Sequence, residues 1–165
     1  MNLNNYHKTV SNIINLLDNN NAWYETFEHL PVKTSEEAAN VRTGYNLNQG
    51  AKALILRIKK SGGEKYFAQF VVPGNEKFNS KLISKIVSAK NIRFATIEEI
   101  TEITDGIKIG GIPPFGNLFG LPVFVDKSLL DDEKIIFNAG DRSFSIGMKT
   151  KDYINIVKPI IETLC

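Results

Sequence analysis

Two runs of apolar and β-branched residues, Ala51 to Lys59 and Lys65 to Val72, flank Ser61-Gly62-Gly63, and no other stretch restricts the fold as much. Strand formers bracketing a glycine pair predict an antiparallel hairpin, and strands of this length become the centre of a sheet that other elements must cover. Side chains alternate between faces, so Lys52 shares a row with Leu54, Leu56 and Ile58 while Arg57 and Lys59 face the other way. Lys52 is the polar member of an apolar row. One reading is a strand-end lysine carrying its amine to water. The other is an ammonium at the mouth of an apolar cavity, available to an anion.

The elements around the hairpin follow from periodicity and caps. Val10, Ile13, Ile14 and Leu17 recur at helical spacing until Asn19 to Asn21. Trp23 to His29 reads as a strand halted by Pro31. Thr34 with Glu37 forms a capping box for a helix that Gly44 closes, and Thr96 with Glu99 repeats it for a helix ending near Asp105-Gly106. Phe78, Leu82, Ile83, Ile86 and Val87 trace a helical face. Strands are expected at Ile92 to Ala95, Leu121 to Asp126, Lys134 to Ala139 and Ser143 to Met148, the last two joined through Gly140-Asp141. Thr150 is expected to cap a final helix with the stripe Ile154, Val157, Ile161 and Leu164, kinked at Pro159. Strands outnumber helices without strict alternation, and no internal repeat or linker divides the chain. The expected fold is a mixed α/β (α+β) domain over residues 1–165, with a curled sheet flanked by helices.

The stretch Lys108 to Gly116, K-I-G-G-I-P-P-F-G, joins two of these elements. Gly110 and Gly111 lack a Cβ, so a ligand can approach their N–H groups, and Pro113 and Pro114 stiffen the loop that presents them. Such amides suit a carbonyl oxygen or oxyanion. A tight turn between strands uses the same residues.

Composition narrows the chemistry. With 42% hydrophobic and 23% charged residues over 165, the chain reads as an ordinary globular protein, and its net charge of +2 is too small to mark a general nucleic-acid binder. No apolar run reaches the roughly 20 residues of a membrane span. The lone cysteine, Cys165, permits no intrachain disulfide, which fits a reducing cytoplasmic setting. There is no G-x-S-x-G, H-E-x-x-H, C-x-x-C or P-loop, and His7 and His29 are too few for a zinc site or triad. His29 is read as a partly buried polar residue more readily than as a base.

Several ordered segments together resemble the YbaK and prolyl-tRNA synthetase editing-domain family of aminoacyl-tRNA deacylases. They are F-E-H-L-P-V-K-T-S-E-E-A-A, G-A-K-A-L-I-L-R, G-G-I-P-P-F-G, L-P-V-F-V-D and F-N-A-G-D-R. The resemblance spans nearly the whole chain. It implies a barrel-like mixed sheet and a pocket that hydrolyses the ester joining a wrong amino acid to tRNA, usually tRNA for proline. It places the family's lysine at Lys52, against phosphate near the tRNA 3′ acceptor end, and the family's glycine-proline loop at Gly110 to Pro114. Lys52 and Gly110 are thereby the expected catalytic positions. Phe27, Gly111, Ile112, Pro113, Pro114, Asn138, Gly140 and Ser145 are the expected substrate-binding ones.

Phe27 stands where the cysteine-removing branch of the family has tyrosine, and Ser145 where it has aspartate. Alanine is therefore the first expected substrate, then serine or threonine. No protein nucleophile, metal or cofactor is implied, because the ester is activated by its neighbouring ribose hydroxyl. The length implies a freestanding editing factor acting in trans, with prolyl-tRNA synthetase or an elongation factor as possible deliverers. Neither membrane nor DNA is an expected partner. The alternative is a non-catalytic aminoacyl-tRNA or nucleotide-binding module with the same fold.

Overall fold

A computed structural model describes residues 1–165. In chain order it contains α1 (Lys8–Asn19), β1 (Tyr24–Glu28), α2 (Ser35–Val41), β2 (Ala51–Lys60), β3 (Lys65–Pro73), α3 (Ser80–Ile86) and β4 (Ala89–Phe94). There follow α4 (Ile97–Thr104), β5 (Val123–Asp126), β6 (Lys134–Asp141), β7 (Phe144–Lys149), α5 (Thr150–Val157) and β8 (Ile160–Glu162). The β2–β3 hairpin is central to a five-stranded mixed sheet of order β4-β2-β3-β5-β8. A separate antiparallel sheet has the order β1-β7-β6. The two meet at a single parallel bridge between Gly50 and Ile136 and do not close into a barrel. The expected mixed α/β class holds, with two sheets in place of one curled one.

The sheets are held by different cores. Between them, Val10, Ile13 and Leu17 of α1 and Tyr153 of α5 pack on Phe137, Phe144 and Ile146, together with Val71 and Val125 from the larger sheet. On the outer face of the larger sheet, Leu56, Ile58 and Phe70 meet Ile83 and Val87 near α3. Each fully buried side chain of this size contributes about 1.5–3 kcal/mol. A third cluster, Ile55, Ala95, Ile100, Ile107 and Ile112, ties α4 and the glycine-proline loop to β2.

Several boundaries differ from expectation, among them that of α2, which stops at Val41 with Arg42 as its C-cap, short of Gly44. The last helix stops at Val157, because Lys158 turns left-handed at φ 52° and Pro159 supplies no N–H to continue it. Residues Ile160–Glu162 instead add a parallel edge strand to β5, leaving Ile161 exposed and Leu164 buried. Thr150 is the first helical residue and not the cap; its hydroxyl donates to the Asp132 carbonyl at 2.6 Å. Finally, β4 starts at Ala89, since Ser88 at φ 52° turns the chain straight out of α3.

Candidate active site

A cavity of about 130 Å³ lies where the sheets diverge, between Ala51–Lys52–Ala53 of β2 and Ile136–Phe137–Asn138 of β6. The α2 helix forms its third wall and the loop at Gly110 and Ile112 its fourth. The sequence makes this opening by using small residues. Ala38 and Ala39 of α2 face it, and Gly74 lets the chain after β3 pass so close to Leu47 that a Cβ there would lie 2.7 Å from the Leu47 carbonyl oxygen. Its charged lining consists of Lys33, Arg42 and Lys52, with no aspartate or glutamate.

The glycine-proline loop is anchored through its carbonyls. Asn138 Nδ2 donates to Gly110 O at 2.6 Å and Gly140 N to Gly111 O at 2.8 Å. Gln69 Nε2 donates to Pro113 O at 2.9 Å, and the buried Tyr153 hydroxyl to Pro114 O at 2.6 Å. Gly110 sits at φ 92°, a torsion that favours glycine. Gly111 N–H closes a turn onto Lys108 O at 2.9 Å and is not free. The N–H groups of Gly110 and Ile112 donate to no protein acceptor, and both residues line the cavity. Two amide donors therefore stand on a backbone that is fixed in advance.

Phe27, Ser145 and Asn138 form one row across the smaller sheet, Phe27 pairing with Ser145 and Ser145 with Asn138. Over that row lies Arg42, at the C-terminal end of α2 and only 6% exposed. Its Nε donates to Ser145 Oγ at 3.0 Å and its Nη2 to Asn138 Oδ1 at 2.7 Å. The Ser145 hydroxyl also lies 2.8 Å from His29 Nε2 and 3.1 Å from Asn138 Oδ1, with one proton to give to either. His29 Nδ1 is occupied by the Leu30 carbonyl at 2.8 Å, so this histidine braces the row. No carboxylate pairs with Arg42, and burial lowers its pKa to about 10, which leaves it charged at neutral pH.

Of the expected site residues, Lys52, Gly110, Ile112 and Asn138 line the cavity. The Lys52 ammonium donates to the Glu76 carbonyl at 2.9 Å at an exposed position. Gly111 and Gly140 line a separate polar cleft across the loop, beside Lys108 and Arg142. Pro113, Pro114 and Ser145 are buried behind the wall, and Phe27 stands edge-on to Tyr45, which does line the cavity, at a ring separation of 6.0 Å. Cys165 does not line the cavity, and its thiol is pushed up to about 11 by burial and then by the Asp126 carboxylate. Sequence reading missed Arg42 and the alanine face of α2. Locally they show only the pair Ala38-Ala39, with Arg42 three residues further on.

Residues 29–156 match the model of the aminoacyl-tRNA editing domain. The chain belongs to that family. It is 32% identical over 152 residues to the multifunctional Ser/Thr-tRNA deacylase ProXp-y of Escherichia coli K12, covering 92% of this chain and 89% of that protein. It is 27% identical over 113 residues to a proline--tRNA ligase of a Sulfurihydrogenibium species, covering 68% of this chain and 18% of the ligase. The fold matches a crystal structure described as a candidate trans-editing enzyme for prolyl tRNA synthetase, with a TM-score of 0.78 at 23% identity, covering 96% of this chain and 97% of the other. Membership carries a hydrolytic activity, deacylation of aminoacyl-tRNA. No helix is long and apolar enough to cross a membrane.

Proposed function

We propose that residues 1–165 act as one freestanding editing domain that removes a small, wrongly attached amino acid from the 3′ end of tRNA in the cytoplasm, with tRNA for proline as the first candidate. The observation that carries this is a cavity whose lining residues include three cations and no carboxylate, together with Gly110 and Ile112, whose amide N–H groups have no protein acceptor. Such a cavity suits a ligand made of phosphate, ribose oxygens and an acyl carbonyl.

In this reading Lys52 holds the phosphate of the terminal nucleotide, and the Gly110 and Ile112 amides receive the carbonyl oxygen. Water adds to the acyl carbon, the carbonyl oxygen gains charge against the amides, and the bond to the ribose oxygen breaks. The ribose oxygen leaves with a proton, giving a free amino acid and an uncharged tRNA end. No side chain need act as nucleophile, because positioning and oxyanion contacts lower the barrier of an already activated ester. Alanine, serine, threonine and cysteine fit the small chamber. The name of the Escherichia coli relative favours serine and threonine among them. Prolyl-tRNA synthetase or an elongation factor is the proposed source of charged tRNA.

The test is hydrolysis of purified tRNA for proline charged separately with alanine, cysteine, serine, threonine and proline. We expect turnover of at least one small amino acid and not of proline, reduced on the order of ten-fold or more by Lys52→Ala, the scale of one charge-assisted hydrogen bond. Binding without hydrolysis of any of them would make the chain a non-catalytic aminoacyl-tRNA binder.

A further inference from the structure

Resting on the deacylase reading, we propose that Arg42 reads the side chain of the bound amino acid, selecting one that carries an oxygen on Cβ over alanine. The guanidinium is nine-tenths buried, lines the cavity and has no acid to neutralise it. Two of its nitrogens are committed to Ser145 and Asn138, whereas Nη1 donates to no protein acceptor. A donor of this kind, withdrawn from bulk water on a residue that lines the chamber, is matched by a ligand atom with lone pairs.

The surrounding geometry says which atom. Asn138 spans from Arg42, through Oδ1, to the Gly110 carbonyl, through Nδ2. The carboxamide of Asn138 and its two hydrogen bonds thus connect the guanidinium to Gly110, whose loop is proposed to receive the ester carbonyl. A group attached one carbon beyond Cα covers that span, and a longer side chain meets the walls of a chamber of about 130 Å³. Serine and threonine place a hydroxyl oxygen there. Alanine leaves Nη1 unsatisfied, and the thiol of cysteine is a weak acceptor. A site that hydrogen-bonds a substrate hydroxyl discriminates strongly against the analogue without it. Because Ser145 is neutral, nothing inside the protein competes for the charge.

The experiment uses the full chain and non-hydrolysable 3′-amide analogues of aminoacyl-adenosine, with affinities measured by calorimetry. Wild type is expected to bind the seryl analogue ten-fold or more tighter than the alanyl one. Arg42→Met and Arg42→Lys, each checked for a native circular-dichroism melt, should bring that ratio close to one. A third ligand needs no variant: the 2,3-diaminopropionyl analogue puts an ammonium where serine has its hydroxyl and should bind more weakly than the alanyl form. Equal affinity of wild type for the seryl and alanyl analogues, an unchanged ratio in a folded variant, or diaminopropionyl binding as tight as seryl would each overturn the assignment. Seryl preference without hydrolysis of any charged tRNA would sink the deacylase reading and leave Arg42 in its role. Hydrolysis without seryl preference would do the reverse.

Discussion

Two helices of this chain open on nearly the same residues, Thr34-Ser35-Glu36-Glu37 and Thr96-Ile97-Glu98-Glu99, and put them to different uses. In α4 the capping box is complete. Thr96 Oγ1 accepts from Glu99 N at 3.2 Å, and Glu99 accepts from Thr96 N at 2.8 Å and from both terminal nitrogens of Arg93 at 2.8 and 2.7 Å. The helix then buries Ile100 and Thr104. In α2 the Thr34 half of the box forms, but Glu37 reaches past it to Lys33 N at 2.7 Å, and only Ala38 is buried. The arginine beside α4 has its carboxylate; the one ending α2 has none. An identical start signal thus precedes one helix that fills space and one that preserves it. The distinction lies in the side chains after the first turn.

The contrast breaks most visibly under paired size changes. Ala39→Leu should fill the chamber and lower deacylation by about a hundred-fold or more, because a close-packed pocket rejects added volume, with little change in melting temperature. Ile100→Ala should do the opposite, costing about 2–4 kcal/mol in denaturant unfolding while sparing turnover per folded molecule. If both variants lost stability equally, α2 would be an ordinary packing helix.

A second substitution gives Arg42 what Arg93 already has. Ser145→Asp sets a carboxylate where Arg42 Nε now meets a hydroxyl at 3.0 Å. It should preserve folding, as judged by the melt, and weaken binding of the seryl analogue about ten-fold as the free charge is consumed. Retained affinity would mean that the ligand does not use that charge.

The smallest effect concerns acid. Hydrogen bonds from Arg93 and Thr96 lower the Glu99 carboxyl from an ordinary value of 4.5 to about 2. Between those values the unfolded chain binds the proton and the native chain does not, so this contribution is present above pH 4.5 and is lost as pH falls through about 2. Glu99→Gln should flatten the acid limb of the stability profile in that window, measured by urea unfolding at a series of pH values. Glu99 and Arg93 lie at the surface and are only partly buried, so solvent screening keeps the effect modest.

What the sequence disclosed divides by distance along the chain. The hairpin, both helix starts and the glycine-proline loop depend on neighbours within a few residues, and each was legible. The row Phe27–Ser145–Asn138 was reached through family resemblance, which did not show that only Asn138 lines the cavity. Arg42 was invisible because its partners lie 96 and 103 residues away, and nothing nearby distinguishes it from a surface arginine. The helical stripe that runs through Pro159 misled for a related reason. Periodicity records which residues are apolar, whereas a proline and a left-handed Lys158 decide that the chain leaves the helix to pair with β5.

The loop bound by its carbonyls has a spectroscopic consequence. Its peptide planes are held from behind and the Gly110 and Ile112 amides have no protein acceptor, while the Gly116 amide is locked onto Gln69 Oε1 at 2.8 Å. In deuterated water those two hydrogens should exchange early and their neighbour late. An occupant of the chamber would slow the early pair alone, making the loop its own built-in gauge of occupancy.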